Sequence, residues 1–172
     1  MLKLTGIFLI ILSAMGMGLC KSLELTEKVK ILESLIRILS LLKGEIRCTG
    51  ASLEDAFLAV ADKMSGEYRA FFEQLVQSMK KKNGCSFGEL FQECAMRELP
   101  IDRLSEEDKN CFLSLGGCLG YLDKKMQLGQ LTLLEEEMTE KLVLLRKKAP
   151  EKKKVYRSLG ILGGIFLAVL MW

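Results

Sequence analysis

The chain has 172 residues, 49% hydrophobic and 27% charged, with a formal net charge of +3 at pH 7, which is room for one ordinary domain with appended segments. It contains no histidine, so the commonest general base and the commonest metal ligand are both missing. Its six cysteines (Cys20, Cys48, Cys85, Cys94, Cys111 and Cys118) form no CxxC pair, which leaves zinc-site and thioredoxin-type readings without support.

Charge is distributed unevenly. All 22 acids and 24 of the 25 bases lie between Lys21 and Arg157, so the middle is close to neutral and the two ends are nearly charge-free. Leu4 to Cys20 is a run of 17 uncharged residues bracketed by Lys3 and Lys21. As a helix it would reach roughly 25 Å, which spans a bilayer core when the flanking lysines snorkel. A cleaved signal peptide is the competing reading. A lipoprotein signal would normally place a small residue before the cysteine, where this chain has Leu19. Residues 1–20 are therefore expected to be an uncleaved transmembrane anchor.

Residues 21–157 read as helices. Apolar residues recur at Leu25, Val29, Leu32, Leu35 or Ile36, Leu39 and Leu42, a stripe with mixed three- and four-residue spacing. No proline separates this helix from the anchor, so the two can run on continuously. Ser52 with Asp55 gives a capping-box-like start to a helix reaching about Met64. Gly66 opens the next, which its terminal lysines and Asn83-Gly84 close. Ser86 and Glu89 form a cleaner capping box for a helix ended by Pro100. Ser105 and Asp108 start another to about Leu122, and Lys124 to Lys148 is the last before Pro150. The expectation is an all-α cytoplasmic bundle of about six helices joined by short loops.

Catalysis finds little foothold in this pattern. The densest carboxylate group is Leu134 to Met138, "LEEEM", but charge runs on helices are usually solvated faces, and Glu137 has Lys141 four residues on. A di-metal bundle needs Glu-x-x-His, which a chain without histidine cannot supply. No glycine loop with Lys-Ser/Thr is present for phosphate. Phe71, Phe72, Phe87 and Phe91 are assigned to the core rather than to a ligand site, and the cysteines to small apolar packing in a reducing compartment.

The final stretch, Ser158 to Trp172, is 15 residues with a Gly160-x-x-x-Gly164 pair and a terminal tryptophan. Small residues at that spacing let helices approach closely in lipid. Lys147, Lys148, Lys152, Lys153, Lys154 and Arg157 precede it, against a single acid, Glu151. Such a cluster could meet nucleic acid. Beside a hydrophobic end it is read instead through the positive-inside rule, which puts 21–157 in the cytoplasm and both termini outside. Residues 158–172 are accordingly expected to be a second transmembrane segment.

One piece of the middle stands out. In "LGGCLGYLDKKMQLGQL", Leu115 to Leu131, Gly116 and Gly120 make a second GxxxG, with Asp123 and Gln127 following at helical spacing. Glycine inside a helix costs about 1 kcal/mol against alanine, so a close approach is expected there. The four residues form a face for either a partner or a neighbouring helix, the second case having Asp123 cap the helix that follows.

At these residues the chain resembles a family, stage III sporulation protein AB of endospore-forming bacteria. The likeness covers the whole chain, opening with "MLKLTGIFLIIL", continuing through "LKGEIRCTGASLEDAF", and closing with "VYRSLGILGGIFLAVLMW". The family pattern Leu-Gly-x-x-Asp-x-x-x-Gln falls on Leu119, Gly120, Asp123 and Gln127, and Tyr156, Leu159 and Gly160 match its ending. Phe91 departs from the tryptophan expected of the family, which touches packing alone. The resemblance implies a type II secretion F-like helical domain and a place in the mother-cell-to-forespore channel. It implies a platform in the mother-cell membrane facing the forespore, with a secretion-type ATPase of the same system and other membrane components as partners. It suggests self-association, which both GxxxG pairs permit. No cofactor, metal or nucleic acid is implied. The alternative is a membrane-anchored adaptor that localises sporulation proteins without transmitting force, and an enzyme is not expected.

Overall fold

The computed structural model describes the backbone of residues 2–49, 52–81, 84–120 and 123–170, with side chains there except at 2–15, 17–19, 48–49, 153, 156–157, 159–161 and 163–170. The secondary structure of the described residues is all helical, with no strand. The α-helices are α1 (Leu2–Thr49), α2 (Leu53–Lys63), α3 (Glu67–Lys80), α4 (Phe87–Glu98), α5 (Glu106–Leu113), α6 (Leu115–Leu119) and α7 (Lys124–Leu170), with a 3-10 turn at Ile101–Arg103 between α4 and α5. The chain divides into two compact units, residues 31–141 and residues 1–30 with 142–172.

Within residues 31–141 the starts of the short helices are set locally. The amide of Asp55 donates to Ser52 Oγ at 3.3 Å and that of Asp108 to Ser105 Oγ at 3.2 Å. At α4 the box is reciprocal, the Glu89 amide donating to Ser86 Oγ at 3.3 Å and the Ser86 amide to Glu89 Oε2 at 2.9 Å. Each cap satisfies an amide the helix itself leaves without a partner. Gly66, ahead of α3, has φ +60° and ψ −137°, a conformation that glycine adopts readily and side-chain-bearing residues rarely do. Leu99 caps α4 as Pro100 ends it.

The core of this unit is apolar and aromatic. Leu32, Leu35, Ile38, Leu39 and Leu42 of α1 are buried, so the expected stripe does face inward here. Phe57, Phe71, Phe72, Phe91 and Phe112 are fully buried around the short helices. Phe71 meets Phe91 edge-on, with centroids 5.4 Å apart at 87°, and Phe91 meets Phe112 at 5.6 Å. Each such ring contributes about 1.5–3 kcal/mol through burial, with up to about 1.5 more from a good ring pair. No polar or charged residue is buried among those described. Lys43 of α1 pairs with Glu135 of α7, and Lys63 of α2 with Glu45 of α1.

Two sequence expectations are corrected. The helix expected from Ser105 to Leu122 is broken at Ser114, whose hydroxyl donates to the Cys111 carbonyl at 2.7 Å while its own carbonyl takes the Gly117 amide at 3.1 Å. That tight i→i+3 bond ends α5 and starts α6. The other is the last helix, which does not stop before Pro150 but carries it inside α7. Proline there removes the bond to the Arg146 carbonyl and costs about 3 kcal/mol in a helix interior. The residue is exposed, so water can take up the carbonyl.

In the other unit, Leu142 and Ala149 of α7 are buried, while Lys21 and Glu24 of α1 form a surface pair at 2.8 Å. Most side chains of the expected spans, 1–20 and 158–172, lie outside the described residues, as do those of Lys153 and Arg157. Among the described residues, no helix is long and apolar enough to cross a membrane.

Candidate helix-contact face

Within Leu115–Leu131, α6 packs against α4, and Gln127 of α7 bonds back to the end of α6. Both glycines of its GxxxG face α4. A Cβ on Gly116 would lie 2.9 Å from Phe91 Cβ, and one on Gly120 would lie 3.0 Å from Phe87 Cβ. Those distances are well inside the 3.5–4.0 Å optimum between carbon atoms. Gly88 of α4 adds to the closeness from the opposite side, where an added Cβ would meet the Gly117 amide nitrogen at 3.6 Å. The crossing is therefore glycine against phenylalanine, and α6 approaches α4 because it has no side chains there. The sequence pattern singled out Gly116 and Gly120 but missed Gly88, which reads locally as one more first-turn position after the Ser86 cap.

The polar members of the stretch take backbone partners. The Met126 amide donates to Asp123 Oδ1 at 2.8 Å, and the Gln127 amide donates to the Asp123 carbonyl at 2.8 Å. Asp123 is thus the N-cap of α7, where its negative charge also complements the positive end of the helix dipole. Gln127 reaches back to α6, its Nε2 donating to the Leu119 carbonyl at 2.8 Å. That carbonyl is one of the last of α6 and has no helical partner of its own. Gly116 and Gly120 lie at the crossing with α4, and Asp123 and Gln127 cap the start of α7 and tie it to the end of α6. Asp123 remains exposed and Gln127 is partly covered.

A second cluster joins α5 to α7. Lys141 Nζ lies 2.9 Å from Glu137 Oε1, 3.2 Å from Glu107 Oε1 and 3.7 Å from Asp108 Oδ1. The sequence shows the Glu137 partner, four residues away, but not the two from α5. The ammonium lacks an ideally directed hydrogen bond, and its ion pairs at these distances provide the attraction. Burial works against its charge, but Glu137 and Glu107 outweigh burial and hold the lysine above its ordinary pKa. The neighbouring Lys141 ammonium first, and the Cys111 thiol next, hold Glu137 below the usual carboxylate range. Burial first, and the Glu137 carboxylate second, push the Cys111 thiol up to about 11. A thiol held protonated is neither a nucleophile nor a metal ligand at neutral pH. Burial also raises Cys94, which faces Ser78 Oγ at 3.8 Å.

Among the described residues no three His, Cys, Asp or Glu side chains are grouped to hold a metal ion. A shallow groove of about 360 Å³ is lined by Lys43, Thr132, Glu135, Glu136, Thr139 and Glu140. It offers carboxylates and hydroxyls without a nucleophile–base pair. In the basic segment, Lys147, Lys148, Lys152 and Lys154 are all exposed on α7. Gly160 and Gly164 lie on the same helix, outside the described side chains.

The family model for stage III sporulation protein AB matches residues 3–172. No curated protein and no solved structure matches the chain. The chain belongs to the stage III sporulation protein AB family, which implies a role in sporulation; the family is one of structural sporulation proteins and not a known enzyme family.

Proposed function

From that membership we propose that the chain is a non-enzymatic membrane platform of the mother-cell-to-forespore channel, coupling a cytoplasmic secretion-type ATPase to the membrane complex. The observation that carries the reading is the grouping of the two charge-poor ends. Residues 1–30 and 142–172 form one compact unit, while residues 31–141 form the other. In this reading the first unit holds the anchors, 1–20 and 158–172, and the second is the cytoplasmic bundle, with the lysines before residue 158 marking the cytoplasmic side. Gly160 and Gly164 then serve helix contacts in lipid, with the chain itself or with other channel components.

The mechanism is mechanical. A conformational change delivered to the bundle reaches the membrane through α1 and α7, each of which runs unbroken from bundle residues into a hydrophobic end. A packed bundle suits this task because close-packed interiors have low compressibility and transmit strain. The test is spore formation by cells whose only copy lacks residues 1–20 and 158–172, alongside cells whose ATPase binds but does not hydrolyse ATP. Loss of spores in both is expected. Spores from the truncated protein would overturn the platform reading, and spores with the inactive ATPase would reduce the protein to a localising adaptor.

A further inference from the structure

On its outward side α1 carries Arg37 and, one heptad on, Gly44, both exposed. Seven residues bring a helix back to within about 20° of the same line, so the two stand one above the other, about 10 Å apart. An added Cβ on Gly44 would meet nothing within 4 Å. This glycine weakens the helix without admitting any other described part of the chain. On α7 a counterpart stands at the same spacing: Leu133, 59% exposed, and, one heptad on, the exposed Glu140. Arg37 and Glu140 have no ion-pair partner among the described residues. All four belong to the unit 31–141.

The two faces are also level. α1 enters this unit at residue 31 and α7 leaves it at residue 141, so the helices run antiparallel, and the Lys43–Glu135 ion pair sets their register. From that pair, Gly44 and Leu133 lie about 1.5 and 3 Å towards one end, and Arg37 and Glu140 about 9 and 7.5 Å towards the other. A second copy turned about an axis parallel to these helices therefore brings its Leu133 to Gly44 and its Glu140 to Arg37 with almost no shift along the axis. A contact without such a shift closes on itself instead of growing into a filament. Packing α1 on α1 would set arginine against arginine, and α7 on α7 glutamate against glutamate. Between the two contacts, Ser40 on α1 is small and offers a hydroxyl to Glu136, while Glu137 is already held by Lys141. One heptad beyond the ion pair the same lines carry Lys30 and Lys147, which repel, so the match ends inside the bundle unit and the contact is of the small, transient class.

We infer that the chain associates with a second copy of itself through α1 of one and α7 of the other, Leu133 filling the space over Gly44 and Arg37 pairing with Glu140. The contact uses bundle residues only, so it stands apart from the anchor reading and from the Gly160–Gly164 pair.

The test produces two differently tagged full-length copies in the same cells, crosslinks them gently and recovers one tag. The wild type is expected to bring the second tag with it. Arg37→Glu alone or Glu140→Arg alone sets like charges face to face and should lower that recovery by about ten-fold or more. The two changes combined in one chain reverse the pair and should restore it. Both positions are exposed, so the helicity of every variant should be unchanged. A benzophenone-bearing amino acid in place of Leu133 should give a light-dependent dimer band whose linked peptide contains Gly44. The same group in place of Met96, 50% exposed on α4, should give none. Recovery of the second tag that ignores the single reversals, as contact through Gly160 and Gly164 would produce, overturns the inference. So does loss in the single variants without rescue in the double, a dimer band from position 133 linked elsewhere, or no second tag with the wild type.

Discussion

Replacing Gly116 by alanine should destabilise the protein, while the same change at the next residue should not. At Gly116 the new methyl would sit 2.9 Å from Phe91 Cβ and 3.1 Å from its Cγ and Cδ1, some 0.5–1 Å inside ordinary contact. The clash meets the root of the phenylalanine, which cannot swing away without moving α4, and Phe91 is itself fully buried against Phe71 and Phe112. Overpacking of this kind costs about 1–3 kcal/mol, and the helix-propensity gain of alanine returns up to about 1 kcal/mol. The net is a loss of roughly 1–2 kcal/mol, or a Tm lower by about 2–8 °C at this chain length. At Gly117 an added Cβ meets nothing within 4 Å, so only the propensity gain of about 0.5–1 kcal/mol remains. Thermal unfolding of the full chain in detergent, followed by circular dichroism, measures both. Shortening the ring in Gly116→Ala/Phe91→Leu should cost less than the two single changes summed. If Gly116→Ala equalled or exceeded the wild type in Tm, the glycine–phenylalanine crossing would not be what holds α6 against α4.

Three further outcomes follow from the same contacts. Ser86→Ala removes the reciprocal cap of α4 and should cost about 1 kcal/mol, read as a lower Tm with the helix content retained. Lys141→Met should cost roughly 0.5–1 kcal/mol near neutral pH, since its partners are largely solvated. Because Glu137 takes its proton at lower pH folded than unfolded, its contribution is present above about 4.5, the unfolded value, and is lost as pH falls through the lower folded value. The gap between variant and wild type should therefore close in acid. The raised lysine keeps its own contribution up to its unfolded value near 10.5 and loses it only above that. Cys111, pushed up to about 11, should alkylate with iodoacetamide at pH 8 on the order of 100-fold more slowly than an ordinary thiol. Mass spectrometry of a time course checks this, and early labelling of Cys111 would contradict its assigned surroundings.

How much of this was legible beforehand depended on whether the cause was local. Ser52, Ser86 and Ser105 could be read as helix starts because cap and capped amide are three residues apart. The stripe from Leu32 to Leu42 was readable because burial follows helical period. Ser114 was missed because the break comes from one hydroxyl bonded to the carbonyl three residues back, which leaves the apolar pattern uninterrupted. Pro150 misled for a quantitative reason. A penalty of about 3 kcal/mol stops a short helix, but here it falls at an exposed position in a 47-residue helix with many turns on either side. At the candidate face, Gly116 and Gly120 announced a close approach, and the sequence left open what approaches. The answer, Phe91 and Phe87, lies more than 20 residues away. The same distance in sequence hid Glu107 and Asp108 from Lys141.

The central claim, that this chain couples an ATPase to the membrane, is tested most directly by copurification. Full-length tagged protein is gently crosslinked in sporulating cells, solubilised and recovered, with Asp123→Ala and Gly117→Ala run at matched abundance. The account predicts that the secretion-type ATPase of the same system is recovered with the wild type. It also predicts recovery with Asp123→Ala wherever that variant folds, because Asp123 serves as the cap of α7. Absence of the ATPase from every sample, with the channel's membrane components still present, would contradict the coupling role.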